Sequence, residues 1–156
     1  MSLESVRDYL KKWGIEDRIL EFPTSSATVE EAARAIGCRE KEIAKTMSFK
    51  IGDAAMLIVM AGDAKIDNSK YKARYSTKAK MLKGEEVEQI TGHPAGGVCP
   101  FGISEDVAIY LDKSLKRFEK VYPACGSKNS AIELSLNELE KCSNYKEWID
   151  VCKGWE

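Results

Sequence analysis

Residues 43–62 are the segment that most restricts how this chain can fold. IAKTMSFKI (43–51) alternates along its length, and AAMLIVMAG (54–62) is continuously apolar. Gly52 and Asp53 separate the two segments and are typical of a tight turn. A strand that is apolar on both faces must be covered on both sides. The sequence therefore predicts a β-hairpin whose second arm is a central strand of a sheet.

The first arm of this hairpin carries a lysine on its apolar face. Strand alternation groups Lys45 with Ile43, Met47 and Phe49, whereas Lys50 falls on the polar face. A desolvated ammonium is costly unless it meets an anion or lines a wet pocket. Lys45 therefore either marks a cavity or, because it lies near the start of the strand, extends its stem to solvent.

The rest of the chain alternates between helical and extended patterns. Predicted helices cover 3–13, 28–37, 67–74, 85–90, 135–142 and 144–152, and predicted strands cover 19–22, 78–82, 107–111, 119–124 and 131–134. The tight hairpin requires an antiparallel pair, so the sheet is expected to be mixed. The fold class is α/β, with a single domain over residues 1–156.

The loop HPAGGVCPFG (93–102) concentrates glycine, proline and the single histidine of the chain. Its spacing matches neither a P-loop nor a dinucleotide-binding fingerprint. The loop is either an ordinary tight connection or one that presents peptide groups to a ligand. His93 and Cys99 allow a thiol nucleophile with a histidine base, but such partners usually come from different segments. We therefore expect a structural role for His93 and a pocket-lining role for Cys99.

Residues 65–83 carry a local excess of positive charge. The basic residues are Lys65, Lys70, Lys72, Arg74, Lys78, Lys80 and Lys83. They are accompanied by one acid, Asp67, and by Tyr71 and Tyr75. The segment is either a solvated surface or a contact for a nucleic-acid backbone, with the tyrosines available for stacking on bases.

Composition excludes several classes of function. The net charge is −1, from 24 basic and 25 acidic residues, so no global field attracts nucleic acid or an anionic membrane. The five cysteines form no CxxC pair, and no apolar run reaches membrane-spanning length. These features predict a reduced, cytoplasmic protein without a membrane partner. One histidine and scattered cysteines provide no metal-ligand set, and no cofactor is expected.

Four segments of the chain are similar to motifs of one family and occur in the same order. They are IAKTMSFK (43–50), AGDAKID (61–67), TGHPAGGVCPFG (91–102) and GSKNSAIELS (126–135). Together they resemble the YbaK/ProX family of aminoacyl-tRNA deacylases, which includes the editing domain inserted in bacterial prolyl-tRNA synthetases. The resemblance covers about the whole chain. It implies a compact mixed sheet that forms a barrel-like core flanked by helices.

The resemblance also implies which residues form the site. The lysine of the family's KT pair corresponds to Lys45, followed by Thr46, and the GxxxP loop corresponds to Gly96, Gly97, Val98, Cys99 and Pro100. Lys45 and Gly96 are then expected to take part in catalysis, and the other matched residues are expected to contact the aminoacyl group. Some relatives carry a histidine where this chain has residues 126–129, which contain none, so Ser127 or Asn129 is expected at that position.

The implied function is trans-editing, in which the ester bond of a mischarged tRNA is hydrolysed. The expected substrate is the tRNA for proline, mischarged with a small wrong amino acid such as alanine, cysteine or serine. A synthetase is a further expected partner, and the tRNA contacts are expected from Lys65, Lys70, Lys72, Arg74, Lys78 and Lys80. Two alternatives remain: a non-catalytic tRNA- or synthetase-binding module of the same fold, and a thiol hydrolase that uses Cys99.

Overall fold

The structure is a computed structural model that describes residues 2–155. Its α-helices are α1 (Ser2–Leu10), α2 (Val29–Ile36), α3 (Asn68–Tyr75), α4 (Gly84–Thr91) and α5 (Leu136–Ser143). Its strands are β1 (Leu20–Glu21), β2 (Ile43–Ile51), β3 (Ala54–Ala61), β4 (Lys65–Ile66), β5 (Ala108–Asp112), β6 (Lys120–Pro123), β7 (Ser130–Ala131), β8 (Leu134–Ser135), β9 (Trp148–Ile149) and β10 (Cys152–Lys153).

The predicted hairpin is confirmed and lies at the centre of the main sheet. Strands β2 and β3 pair antiparallel, with Lys45 opposite Met60, and β3 is buried from Ala55 to Ala61. Strand β6 joins β2 in parallel, and β5 joins β3 in parallel. The resulting six-stranded mixed sheet has the order β8-β6-β2-β3-β5-β9 and curls into half a barrel. The predicted α/β class is confirmed.

The helices cover the sheet and begin and end where local signals predict. Helix α1 places Val6 and Leu10 in the core, where both are fully buried. Helix α2 begins with the capping box formed by Thr28 and Glu31 and ends at Gly37, whose φ of 85° lies in the left-handed region. Because the start of α2 lies beside β2, this cap also positions the segment that precedes it.

The prediction of a helix over residues 144–152 is wrong. Helix α5 ends at Asn144 with a left-handed φ of 53°, and the chain then runs extended through β9 and β10. Strand β9 pairs in parallel with β5, and β10 pairs antiparallel with β4. Pairing with strands that lie far away in the sequence therefore overrides the helical spacing of the apolar residues.

The predicted strand over 78–82 is also not formed as a regular strand. Only Met81 makes a bridge, to Phe49, although Lys80 O accepts a hydrogen bond from Lys50 N and Leu82 N donates one to Ser48 O. The segment therefore lies beside the far half of β2. The predicted strand over 131–134 is divided between β7 and β8.

Candidate functional site

A cavity of about 300 Å³ lies where the first half of β2 meets the start of α2, the 93–102 loop and the segment around β7. Its apolar wall is formed by Ala27, Val29, Ala32, Ile43, Ala44, Met47, Val98, Ala124 and Ala131. Its polar residues are Ser26, Thr28, Lys45, Thr46, Tyr122 and Ser130, together with the backbone of Gly96. Within residues 2–155, no carboxylate, histidine or thiol lines this cavity.

Lys45 is the cationic side chain of the cavity. Its ammonium donates a hydrogen bond to the carbonyl oxygen of Gly62 at 3.3 Å. Burial lowers the pKa of Lys45, while Cys152 and Asp63 act in the opposite direction. Of the two alternatives that strand alternation left open, the structure shows the first: Lys45 lines a cavity, whereas Lys50 on the same strand is exposed.

The 93–102 loop forms one wall of the cavity, but only part of the predicted GxxxP segment reaches it. Gly96 and Val98 line the cavity, and the N–H of Gly97 donates to Pro94 O at 2.9 Å. A Cβ atom on Gly97 would lie 2.8 Å from the backbone of Ser127, so glycine at this position permits the loop to pack against residues 126–131.

The other three residues of the GxxxP segment, Gly97, Cys99 and Pro100, do not line the cavity. The side chain of Cys99 is fully buried, and Pro100 lines a different groove, beside Tyr9 and Trp13. Both residues follow the turn at Gly97, after which the chain runs back into the core. The expected pocket-lining role of Cys99 is therefore not what the structure shows, and a contact between Pro100 and the aminoacyl group gains no support from its position.

The structure does bring His93 and Cys99 together, with Cys99 Sγ 3.5 Å from His93 Nε2. The same Nε2 atom lies 2.9 Å from the carbonyl oxygen of Phe101. Burial raises the pKa of the Cys99 thiol to about 12 and lowers the pKa of His93. A protonated thiol that has no access to the cavity is not an activated nucleophile. His93 instead connects the start of the loop to Cys99 and Phe101 near its end.

Ser127 and Asn129 lie next to the cavity but do not line it. The Ser127 hydroxyl is 2.6 Å from Ser130 Oγ, and Asn129 Nδ2 donates to Phe22 O at 2.9 Å. The cavity wall contains their neighbour Ser130, which is 1% exposed. The exposed Lys128 lies between them, and its carbonyl oxygen accepts a hydrogen bond from Ser26 N. A Cβ atom on Gly96 would lie 3.7 Å from Lys128 Cγ, so the side chain of this exposed lysine begins beside the cavity wall.

The basic segment is less available for tRNA than its sequence indicates. Lys70 is paired with Asp150, and Arg74 is paired with Glu147. Tyr71 is fully buried against Phe49, so the expectation that it stacks on bases is wrong. The remaining predicted contacts are exposed side chains: Lys65, Lys72, Lys78 and Lys80.

Several cavity residues have no signal in the sequence that singles them out. Ser26, Tyr122 and Ser130 come from three separate segments and meet only in the fold. The Tyr122 hydroxyl donates to Glu133 Oε2 at 2.9 Å, which fixes the ring against the wall.

Residues 2–155 contain no group of three or more histidine, cysteine or acidic side chains that is suited to hold a metal ion.

The sequence model for the aminoacyl-tRNA editing domain matches residues 24–142, a range that contains all of the cavity-lining residues. The chain therefore belongs to the aminoacyl-tRNA editing domain family. It is 57% identical over 157 residues to the uncharacterized protein YwhH of Bacillus subtilis (strain 168), and the match spans 100% of both chains.

Other relatives carry more specific names. A proline--tRNA ligase from Thermosipho melanesiensis is 30% identical over 137 residues, which are 87% of this chain but only 24% of the ligase. EbsC of Enterococcus faecalis, named "Putative Cys-tRNA(Pro)/Cys-tRNA(Cys) deacylase", is 25% identical over 75% of this chain and 73% of its own.

The fold is shared with solved structures. A crystal structure described as "a putative trans-editing enzyme for prolyl tRNA synthetase" superposes with a TM-score of 0.86 and 27% identity. The superposition covers 98% of both chains. Among residues 2–155, none of the helices has the length and apolar character needed to cross a membrane.

Proposed function

We propose that this protein is a trans-editing deacylase that hydrolyses the ester bond between a wrong amino acid and tRNA, and that its substrate is the tRNA for proline carrying alanine, cysteine or serine. The observation that carries the proposal is the cavity with one half-buried lysine, Lys45, in a chain of the editing-domain family. The names of EbsC and of the solved neighbour support the same class of substrate.

The chemistry follows from what the cavity contains and from what it lacks. Hydrolysis requires a water oxygen to add to the ester carbonyl, after which the bond to the ribose oxygen breaks and that oxygen takes a proton. The Lys45 ammonium stabilises the negative charge that develops on the carbonyl oxygen, or anchors the 3′ end. Because no carboxylate or histidine lines the cavity within the described part of the chain, the neighbouring ribose hydroxyl of the substrate positions the water.

The shape of the cavity favours a small amino acid. Its volume of about 300 Å³ lies at the lower end of the range for small-molecule sites, which is roughly 300–1,000 Å³. Five of its wall residues are alanines: Ala27, Ala32, Ala44, Ala124 and Ala131. Exclusion by size discriminates by about 10- to 200-fold per methylene group, so the cavity rejects large side chains but separates alanine, serine and cysteine only weakly.

The tRNA body is expected to contact exposed cations near this cavity and on the basic segment. Lys128 lies beside Gly96 of the cavity wall. Lys65 on β4, Lys72 on α3, and Lys78 and Lys80 in the segment beside the far half of β2 are also exposed, while Lys70 and Arg74 already have acidic partners. Each phosphate contact made by such a side chain releases counterions and adds to the salt dependence of binding.

The proposal is tested by deacylation of a panel of mischarged tRNAs, with tRNA for proline carrying alanine, cysteine or serine, and correctly charged prolyl-tRNA as the reference. We expect the wild-type protein and Cys99→Ala to release the small amino acid and Lys45→Ala to lose activity. Loss of activity in Cys99→Ala with retained folding would favour the thiol hydrolase. Salt-sensitive binding of tRNA without turnover by any variant would favour the non-catalytic module instead.

A further inference from the structure

The Gly62 carbonyl oxygen, which accepts the hydrogen bond from Lys45, lies in a tightly packed segment. A Cβ atom on Gly62 would lie 1.9 Å from Glu40 O and 2.8 Å from Val29 Cγ1. The residue before it is also fixed, because Ala61 N donates to Ser114 Oγ at 3.1 Å. The chain leaves β3 here in contact with two other segments, so the Gly62 carbonyl has a fixed direction towards Lys45.

The residue after Gly62 is held by an arginine. Arg117 donates to both carboxylate oxygens of Asp63, at 3.0 and 2.6 Å. Its Nε also donates to Ser114 O at 2.9 Å, and its Nη1 donates to Trp155 O. The two side chains are only 24% and 31% exposed. A bidentate pair with further backbone contacts fixes the Asp63 carboxylate more strongly than an ordinary surface ion pair would.

Three titratable groups act on the Lys45 ammonium besides its burial: Cys152 from β10, Asp63 after β3, and Lys65 from β4. Burial raises the pKa of Cys152 well above its ordinary value, so this residue is a neutral thiol near pH 7. Lys65 repels the ammonium. Asp63 is therefore the anion among these three groups that favours the charged form of Lys45.

We propose that Gly62, Asp63 and Arg117 form a clamp that holds Lys45 as a correctly directed ammonium for the deacylation step. In this clamp the Gly62 carbonyl orients the ammonium, the Asp63 carboxylate favours its charge, and Arg117 acts through Asp63. All three are positioning residues that do not touch the substrate. The inference rests on the proposed function for its catalytic meaning, while the clamp itself is testable without a substrate.

The test measures the pKa of Lys45 directly, from the pH dependence of its labelling by trace acetic anhydride, read by mass spectrometry of the Lys45 peptide. Asp63→Asn keeps the shape of the side chain and removes its charge. We expect this variant to titrate Lys45 at a lower pH than wild type, and to lower kcat for the mischarged tRNA by about tenfold with little change in KM. Asp63→Glu keeps the negative charge, so the pKa of Lys45 in this variant is expected to lie between the values in Asp63→Asn and in wild type.

The matched control is Glu138→Gln, which removes the charge from another bidentate pair, between Arg18 and Glu138, at 3.0 and 2.6 Å. Glutamine preserves the capping box of α5, and Glu138 does not line the cavity. The control is expected to leave the Lys45 titration unchanged. If Asp63→Asn does not fold, Arg117→Lys replaces the two-pronged contact with a single one and is expected to shift the titration in the same direction.

An unchanged Lys45 titration in folded Asp63→Asn, or an equal shift in Glu138→Gln, would overturn the clamp. A wild-type protein that hydrolyses none of the mischarged tRNAs would instead overturn the proposed function, because the labelling experiment still reports whether Asp63 acts on Lys45. A shifted titration with an unchanged kcat would show that the clamp does not position Lys45 for catalysis, and the inference would fail on that point.

Discussion

Replacing Lys45 with methionine removes the ammonium while an unbranched side chain still fills the space beside Met60, its partner in the hairpin. A unit charge about 4 Å from a developing oxyanion contributes about 4 kcal/mol at an effective dielectric constant near 20. Lys45 is only half-buried, so we expect its ammonium to lower the activation free energy by about 2–4 kcal/mol. Loss of this contribution corresponds to a decrease of about 30- to 900-fold in kcat. Single-turnover release of labelled alanine from alanyl-tRNA for proline measures this effect.

Lys50→Met is the matched control, because Lys50 lies on the same strand but is exposed on the face opposite to Lys45. We expect it to change kcat by less than about twofold, because Lys50 does not line the cavity and cannot act on charge that develops there. Thermal unfolding provides a second readout: Lys45→Met removes a partly desolvated charge and should not lower the melting temperature. A kcat within about threefold of wild type in Lys45→Met, or equal losses in both variants, would refute the role of the ammonium.

Three further results are expected. Burial lowers the pKa of Lys45, so its ammonium form is lost as the pH rises through that lowered value, and kcat should fall at a lower alkaline pH than it would with an exposed lysine. A kcat that rises over the same pH range would instead indicate that Lys45 acts as a base. Lys128→Ala should raise KM for the charged tRNA and reduce the slope of log K against log salt concentration by about 0.7. If Lys80→Ala has this effect and Lys128→Ala does not, the tRNA contacts the basic segment and not Lys128. Gly97→Ala places a Cβ atom 2.8 Å from the Ser127 backbone, so calorimetry should show a loss of about 1–3 kcal/mol in the free energy of unfolding; an unchanged melting temperature would contradict this packing.

Local chemistry in the sequence was sufficient for most of the fold. The turn at Gly52 and Asp53 and the continuously apolar β3 are determined by neighbouring residues and appear as predicted. Capping boxes at Thr28 and Ser135 begin two helices at the first residues of the predicted ranges. The segment 144–152 was not predictable in this way. Its apolar spacing fits a helix, but the extended form gains pairing with β5 and β4, which no local pattern contains.

The same distinction applies to the site. Strand alternation alone placed Lys45 on an apolar face, and the fold supplies the cavity that this position requires. The loop sequence made Cys99 a candidate for the cavity wall, but its side chain is buried behind the loop. Ser26, Tyr122 and Ser130 were not predictable, because they lie on three separate segments and Ser26 is far in the sequence from the other two.

The proposed site is tested most directly by a crystal structure with alanyl-adenosine linked through a 3′-amide, which mimics the charged end of tRNA but resists hydrolysis. We expect the alanyl methyl group within the alanine-rich wall, the carbonyl oxygen within hydrogen-bond distance of Lys45 Nζ, and the ribose at the rim beside Gly96 and Lys128. Binding of the analogue outside this cavity, or a carbonyl group directed away from Lys45, would contradict the assignment of this cavity as the editing site.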